Sequence, residues 1–283
     1  MSTQKIAVVT GGNKGVGYAI VKGLCERFKG TIYLTARNEE RGKAAIAKLK
    51  ELGFQPLFHQ LDITDQASVN KFKEHIQTTH GGIDLLVNNA GILYSKDASE
   101  PFAEQAEQTV AINYFGTLRI SEALFPLLRN SARVINLSSS AGHLYRIPSA
   151  DIRAKFSDAA LTIPELSKLM DKFVKDAKEN KAEQEGWGNP PYCAYIVSKV
   201  GVSALTIIQQ RLFDKEVPNR NISANFVHPG YVKTDMNTKG HLTIEQGAKA
   251  PLYLALDANL KGKYVWFNCQ VVDWYGETTP PKV

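Results

Sequence analysis

Tyr195 and Lys199 have side chains suited to proton transfer. They are four residues apart in a segment predicted to be helical, which places both on one helix face. The pKa of a free tyrosine phenol is about 10, and a nearby ammonium group lowers it by stabilising the phenolate. The pair therefore predicts a general acid that works near neutral pH. The spacing alone is weak, because Tyr18 and Lys22 share it and Tyr18 is expected to pack a helix.

Three serines, 138–140, follow a strand predicted at 133–137. A hydroxyl at the carboxyl end of a strand could donate a hydrogen bond to a substrate carbonyl oxygen. A polar turn is the simpler interpretation of a serine cluster by itself. The position upstream of Tyr195 makes these serines candidates for the same site.

Gly11, Gly15 and Gly17 lie between a predicted strand at 6–9 and a helical stretch that starts near residue 18. Glycine allows a sharp turn and a close ligand, while free amides and the helix dipole attract an anion. The spacing differs from the G-x-G-x-x-G pattern of many dinucleotide-binding turns. Its place in an N-terminal strand–turn–helix unit still predicts a site for a dinucleotide pyrophosphate.

Arg37 occupies the position, 20 residues after Gly17, that sets cofactor preference in many dinucleotide sites. An acidic residue there binds the ribose 2′-hydroxyl of NAD, whereas an arginine suits the 2′-phosphate of NADP. Lys14 adds a second positive charge, so charge-assisted hydrogen bonds predict NADP. The alternative is a surface arginine that pairs with Glu39 or Glu40.

Strand-like and helix-like segments alternate along the chain, with strands at 6–9, 31–35, 56–59, 83–87 and 133–137 and helices near 39–52, 68–79 and 102–128. This alternation predicts a single α/β domain over residues 1–283, a Rossmann-type doubly wound parallel sheet with helices on both faces. Ligands bind such sheets beyond the carboxyl ends of the strands. The informative residues just after strands are the glycine turn, Arg37, Asp62, 88–91, 138–140 and Pro229-Gly230.

A helical insertion at about 143–190 interrupts this pattern. Thr162 and Glu165 predict a capping box with Pro164 in the first helical turn. The helix has an apolar stripe: Leu166, Leu169, Met170, Phe173, Val174 and Ala177. We expect the stripe to pack on the body of the domain, and a lid is the alternative.

Composition excludes several classes of partner. Lys and Arg total 34 against 28 Asp and Glu, and they are interleaved on a solvated helix face, so nucleic acid is not expected. No stretch reaches about 18 apolar residues, and no cleavable apolar segment precedes the first strand, so no membrane association is expected. Cys25, Cys193 and Cys269 are odd in number and lack metal-ligand spacing. They predict free thiols in a cytoplasmic protein without a metal site.

Together these motifs resemble the short-chain dehydrogenase/reductase family over essentially the whole chain. The matching motifs are 10–17, 88–91, Asn113, Ser139, Tyr195-x-x-x-Lys199 and Pro229-Gly230. Within this family, the chain resembles the carbonyl reductases that use NADPH and work as monomers. The segments that carry this resemblance are 34–37, 58–63, 185–187 and the insertion before Tyr195. The family's dimers often form through helices near the Tyr195 segment, which the insertion would cover.

The resemblance implies catalytic roles for four residues. Tyr195 would donate a proton, Lys199 would lower its pKa and hold the nicotinamide ribose, Ser139 would orient the carbonyl group, and Asn113 would hold a water that connects Lys199 to solvent. The NADPH contacts would be Gly11, Asn13, Lys14, Gly15, Val16, Gly17, Arg37, Asp62, Ile63, Asn89, Ala90, Gly91, Tyr195, Lys199, Pro229, Gly230, Val232 and Thr234.

The implied reaction is hydride transfer from NADPH to the carbonyl carbon of a small aldehyde, ketone or quinone. One alternative is an NADP-dependent alcohol or hydroxysteroid dehydrogenase that works in the oxidative direction. Another is a cofactor-binding regulator or RNA-binding protein without turnover. His228 and Tyr231 stand where vertebrate carbonyl reductases usually have cysteine and tryptophan, which argues against assigning glutathione-linked substrates. His228 is interpreted as a pocket residue, a second acid or a hydrogen-bonded structural histidine.

Overall fold

One eight-stranded sheet organises the residues that the computed structural model describes, 4–95 and 97–278. The strands are β1 (Lys5–Val9), β2 (Gly30–Ala36), β3 (Leu57–Gln60), β4 (Ile83–Asn88), β5 (Leu128–Leu137), β6 (Ser223–Val227), β7 (Tyr264–Val265) and β8 (Val271–Val272). Their spatial order is β3-β2-β1-β4-β5-β6-β7-β8, and only the β7–β8 pair is antiparallel. The predicted α/β fold is confirmed.

Helices cover both faces of the sheet: α1 (Gly15–Arg27), α2 (Glu39–Glu51), α3 (Gln66–His80), α4 (Phe102–Val110), α5 (Thr117–Leu124), α6 (Ala150–Ser157), α7 (Ile163–Lys178), α8 (Cys193–Asp214) and α9 (Ile244–Leu256). Side chains alternate across β1, so that Ala7 and Val9 pack with α1, α2 and α9. Ile6 and Val8 pack with α3 and α5 on the other face. Burial on both faces explains the continuous apolar strands.

The long helix predicted over 102–128 is found over 102–124, but it is not a single regular α-helix. A π-helical turn, Ala111–Gly116, separates α4 from α5, and β5 begins at Leu128 after a short 3₁₀ turn that contains Pro126. Within the π turn, the amide group of Asn113 hydrogen-bonds the backbone of Ile92 and the hydroxyl of Ser198. Such turns are frequent at functional sites. Apolar periodicity does not reveal these long-range amide bonds.

The predicted stripe of α7 is buried against α4 and α8. The capping box is present, with Thr162 and Glu165 bonded to each other's backbone amides. The Tyr114 hydroxyl lies 3.0 Å from Ser167 Oγ, and a Cβ on Gly201 of α8 would lie 2.8 Å from Met170 Sδ. This close packing agrees with the predicted docking on the domain body.

Trp187 packs the segment that follows α7 against that helix. Its ring is fully buried against Phe173, and its Nε1 donates to Asp176 Oδ2 at 2.7 Å. Lys172 Nζ bonds the same oxygen at 2.6 Å, so this buried carboxylate has two partners.

Two further findings concern partners and thiols. No helix in the described part of the chain is long and apolar enough to cross a membrane. All three cysteines are free, as predicted. Of the N-terminal segment that leads into β1, residues 1–3 lie outside the described residues.

Candidate active site

A cleft of about 620 Å³ opens at the carboxyl ends of the parallel strands. Most of the predicted site residues line it: Gly11, Asn13, Lys14, Gly15, Val16, Gly17, Arg37, Asp62, Ile63, Asn89, Ala90, Gly91, Tyr195, Lys199, Pro229 and Thr234. Four others, Asn113, Ser139, Gly230 and Val232, lie beside it without contributing to its lining.

The glycine turn leaves space that side chains would fill. Gly11 and Gly15 have φ values of +63° and +56°, in the left-handed region that favours glycine. A Cβ on Gly17 would lie 2.3 Å from Asn89 Nδ2. That nitrogen donates to the carbonyl oxygens of Thr10 and Gly11, which fixes the turn.

The N-terminus of α1 faces this space without an acidic residue in its first turn, and Lys14 at the N-cap makes no side-chain cap. The free amides and the positive end of the helix dipole therefore suit an anion. The cradle fits the pyrophosphate of a dinucleotide.

Lys14 is not a free charge in this structure. Its Nζ pairs with Asp235 at 2.9 Å, and both side chains are exposed. The hydrogen bond and charge of Lys14 lower the pKa of Asp235, with a smaller effect from Arg41. Residue spacing does not reveal this pair, because Asp235 is 221 residues away from Lys14.

Arg37 and Arg41 supply the other positive charges of the cleft. Glu39, a predicted partner of Arg37, instead pairs with Lys43 at 2.6 Å, and no acidic residue in the described chain forms an ion pair with Arg37. Arg41 was missed by sequence reasoning. The sequence feature that could have identified Arg41 is its position four residues after Arg37, about one helical turn, near the start of α2.

Lys199 connects α8 to the end of β5. Its Nζ donates to the carbonyl oxygen of Leu137 at 2.8 Å and lies 5.8 Å from the centre of the Tyr195 ring. A Cβ on Gly91 would lie 3.6 Å from the same nitrogen. The predicted pair thus lies on one face of one helix and borders the cleft.

The pKa of Tyr195 differs from the expectation. Burial raises it to about 12, and a side-chain hydrogen bond with Ser139 offsets part of the rise. Burial also lowers the pKa of Lys199 to about 8. Loss of solvent thus dominates the pKa of Tyr195, the expected lowering by the Lys199 charge is not among the influences on it, and the phenol is protonated at neutral pH.

The three serines have separate environments. Ser138 is buried, and its hydroxyl contacts the Lys199 carbonyl and Ser203 Oγ. Ser139 Oγ accepts from the amide of Ala141 at 3.2 Å, which leaves its own proton available to another acceptor. This arrangement favours Ser139 as the residue that faces a substrate oxygen.

Asn113 has a different set of partners from the predicted water. Its Nδ2 donates to Ile92 O at 2.9 Å and to Ser198 Oγ at 3.0 Å, which uses both amide hydrogens. Its Oδ1 accepts from Ile92 N at 2.8 Å. The side chain therefore positions the loop after β4, and the predicted role in holding water stays a prediction.

Gly230 and Val232 shape the loop after β6. Gly230 has a φ value of +91°, and a Cβ there would lie 2.4 Å from the Leu242 side chain. Val232 is buried beside Gly247 of α9. Both therefore position Pro229 and Thr234 at the cleft.

His228 is a neutral, buried histidine. Its ring centre lies 4.4 Å from that of Trp266, and its Nδ1 accepts from the Gly230 amide at 3.4 Å. Burial, with a smaller contribution from the charge of Arg146, lowers its pKa to about 3. This environment agrees with the structural interpretation and argues against a second acid.

The fold and the arrangement of the cleft define a nucleotide-dependent oxidoreductase of the Rossmann type. The chain belongs to the short-chain dehydrogenase family, whose sequence model, described as short chain dehydrogenase, matches residues 5–150.

Named relatives extend this match to most of the chain. Bovine carbonyl reductase [NADPH] 1 is 43% identical over 279 residues, which cover 96% of this chain and 99% of that protein. Mouse carbonyl reductase [NADPH] 3 is 43% identical over 258 residues, 90% of this chain and 92% of that protein. The solved structure of salutaridine reductase from Papaver somniferum has a TM-score of 0.83 at 32% identity, covering 94% of this chain and 100% of that chain.

Acidification from pH 7 to pH 5 is expected to destabilise the fold through His228. The folded pKa is about 3, against about 6.5 in the unfolded chain, so below pH 6.5 the unfolded state binds a proton that the folded state does not. The contribution is present above pH 6.5 and is lost as the pH falls, by about 2 kcal/mol at pH 5. Urea unfolding at the two pH values measures it.

A His228→Cys variant provides the control. The pH dependence of its free energy of unfolding should be smaller by about 2 kcal/mol. The remaining pH dependence arises from His59, His80 and His143, whose pKa values are also lowered mainly by burial. Equal pH dependence in the two proteins would contradict the assignment.

Proposed function

We propose that this protein reduces aldehydes, ketones or quinones to alcohols with NADPH, and that Tyr195 donates the proton. The observation that carries the proposal is that Tyr195 and Lys199 line one cleft with the glycine cradle, and that the Ser139 side chain, beside this cleft, hydrogen-bonds Tyr195. The relatives named carbonyl reductase [NADPH] support the same reaction and cofactor.

The protein's own groups divide the reaction between them. Ser139 and Tyr195 both donate hydrogen bonds to the carbonyl oxygen, which polarises the carbonyl group and fixes its orientation. NADPH, when bound, supplies the hydride that adds to the carbonyl carbon. The Tyr195 proton moves to the substrate oxygen, so that no unshielded alkoxide accumulates, and the Lys199 ammonium stabilises the phenolate left behind.

The protonation state of Tyr195 agrees with a role as proton donor in reduction. Because its pKa is raised to about 12, the phenol is a proton donor at pH 7. Oxidation of an alcohol needs the same group as a base, a form that is scarce at this pH. Cofactor preference is proposed to depend on Arg37 and Arg41, with Lys14 shared between the cofactor and Asp235.

Replacing Tyr195 by Phe is expected to reduce kcat by about 10² to 10⁴, because the variant lacks the transferable proton. NADPH affinity, measured by fluorescence titration, should stay within about threefold, since the ring remains in place. The matched control is Tyr18→Phe, which alters the other Tyr-x-x-x-Lys pair and should keep normal turnover. Normal turnover in the Tyr195 variant would remove this residue from the mechanism.

Arg37→Asp is expected to lower kcat/KM with NADPH by about tenfold to a hundredfold, because one charge-assisted hydrogen bond is lost and a repulsive charge is gained. kcat/KM with NADH should be unchanged or higher. Lys43→Ala, on the next turn of α2, changes an exposed charge outside the cleft and should leave the ratio unaltered. An equal loss with both cofactors would argue against a 2′-phosphate contact.

We further propose a monomer in the cytoplasm. The packing of α7 over α4 and α8 supports a monomer, because it covers the helices through which dimers of the family form. Three free thiols support a cytoplasmic location. Light scattering should give the mass of one chain, 31.3 kDa. A dimer or tetramer would reject the proposal.

A further inference from the structure

Arg146 follows Ser139 by seven positions in the chain. It ends a short 3₁₀ turn, Leu144–Arg146, that starts five residues after Ser139. Its Nε contacts the carbonyl oxygen of Ser140 at 3.4 Å, and the residue is partly buried. Arg146 is not part of the lining of the cofactor cleft, where Lys14, Arg37 and Arg41 lie.

The neighbours of Arg146 are neutral rings that surround the catalytic pair. After loss of solvent, its positive charge is the largest influence on the pKa values of Tyr192, His228 and Tyr264. The Tyr192 ring centre lies 6.3 Å from that of Tyr195, and the Tyr264 hydroxyl donates to the Ser139 carbonyl at 2.5 Å. The charge of Arg146 therefore acts on two rings that contact the proposed hydrogen-bond donors, since Tyr192 lies beside Tyr195 and Tyr264 bonds Ser139.

This guanidinium group has no acidic partner within 4 Å in the described parts of the chain. The nearby Arg153 is different, because it donates to the carbonyls of Ile147 and Pro148 and lies over the Tyr145 ring. A partly buried cation without a counter-ion is unfavourable, and a ligand of opposite charge would offset that cost. A planar guanidinium matches the geometry of a carboxylate.

We propose that Arg146 binds a carboxylate of the substrate, so that the preferred substrates are carbonyl compounds that carry a carboxylate beyond the reacting group. This inference rests on the proposed reductase function. It assigns the two ends of the site to different anions, the cofactor phosphates at the glycine turn and the substrate carboxylate at Arg146.

Two aldehydes of similar size test the proposal, 4-formylbenzoate and the uncharged 4-nitrobenzaldehyde. With Arg146→Gln, kcat/KM for 4-formylbenzoate should fall about tenfold to a hundredfold, mainly through KM, which corresponds to one charge-assisted hydrogen-bonded pair. The value for 4-nitrobenzaldehyde should stay within about twofold. Arg146→Lys, which keeps the charge but not the planar fork, should give an intermediate loss for the carboxylate alone.

Equal losses for the two aldehydes, or no loss for either, would overturn the proposal. A binding measurement separates its failure from that of the reductase function. Terephthalate, an unreactive analogue of 4-formylbenzoate, should bind the unaltered protein with NADP⁺ present at least tenfold more tightly than it binds the Arg146→Gln variant, as measured by calorimetry. If neither aldehyde is reduced, the reductase function fails and the calorimetry still decides whether Arg146 binds a carboxylate. Equal terephthalate affinities would reject it.

Discussion

The bond between the Lys199 ammonium and the last carbonyl of β5 is the constraint on which the site depends. Together with the contacts of the Ser138 hydroxyl to Lys199 O and to Ser203, it fixes α8 against the end of the strand that carries Ser139. The approach of α8 is so close that a Cβ on Gly142, in the turn after β5, would lie 2.8 Å from the Lys199 carbonyl oxygen. Tyr195 and Ser139, 56 residues apart in the sequence, thereby share one position at the edge of the sheet.

The sheet and the positions of the main motifs could be predicted because they depend on local signals. Alternating strand and helix segments predict the parallel sheet, and candidates such as the glycine turn, Arg37 and Ser139 follow strands, where parallel folds expose their ligand sites. The capping box of α7 and the helical spacing of Tyr195 and Lys199 are equally local.

The parts that could not be predicted depend on contacts between distant residues. The π turn at Asn113 involves Ile92 and Ser198, and the Lys14–Asp235 pair joins the two ends of the chain. The position of the C-terminal aromatic residues also depends on a contact between distant residues, since Trp274 Nε1 donates to Gly142 O at 2.7 Å. The pKa of Tyr195 was expected to fall because spacing reveals a charged neighbour, whereas loss of solvent depends on the whole fold.

Helix α7, which packs over α4 and α8, belongs to the same polypeptide chain as they do. A separate subunit leaves such a surface when the protein is diluted, whereas a tethered helix has an effective concentration that dilution does not change. The Met170 and Tyr114 contacts next to α8 therefore persist at any protein concentration. The helix that bears Tyr195 is thus supported equally well at high and at very low protein concentration.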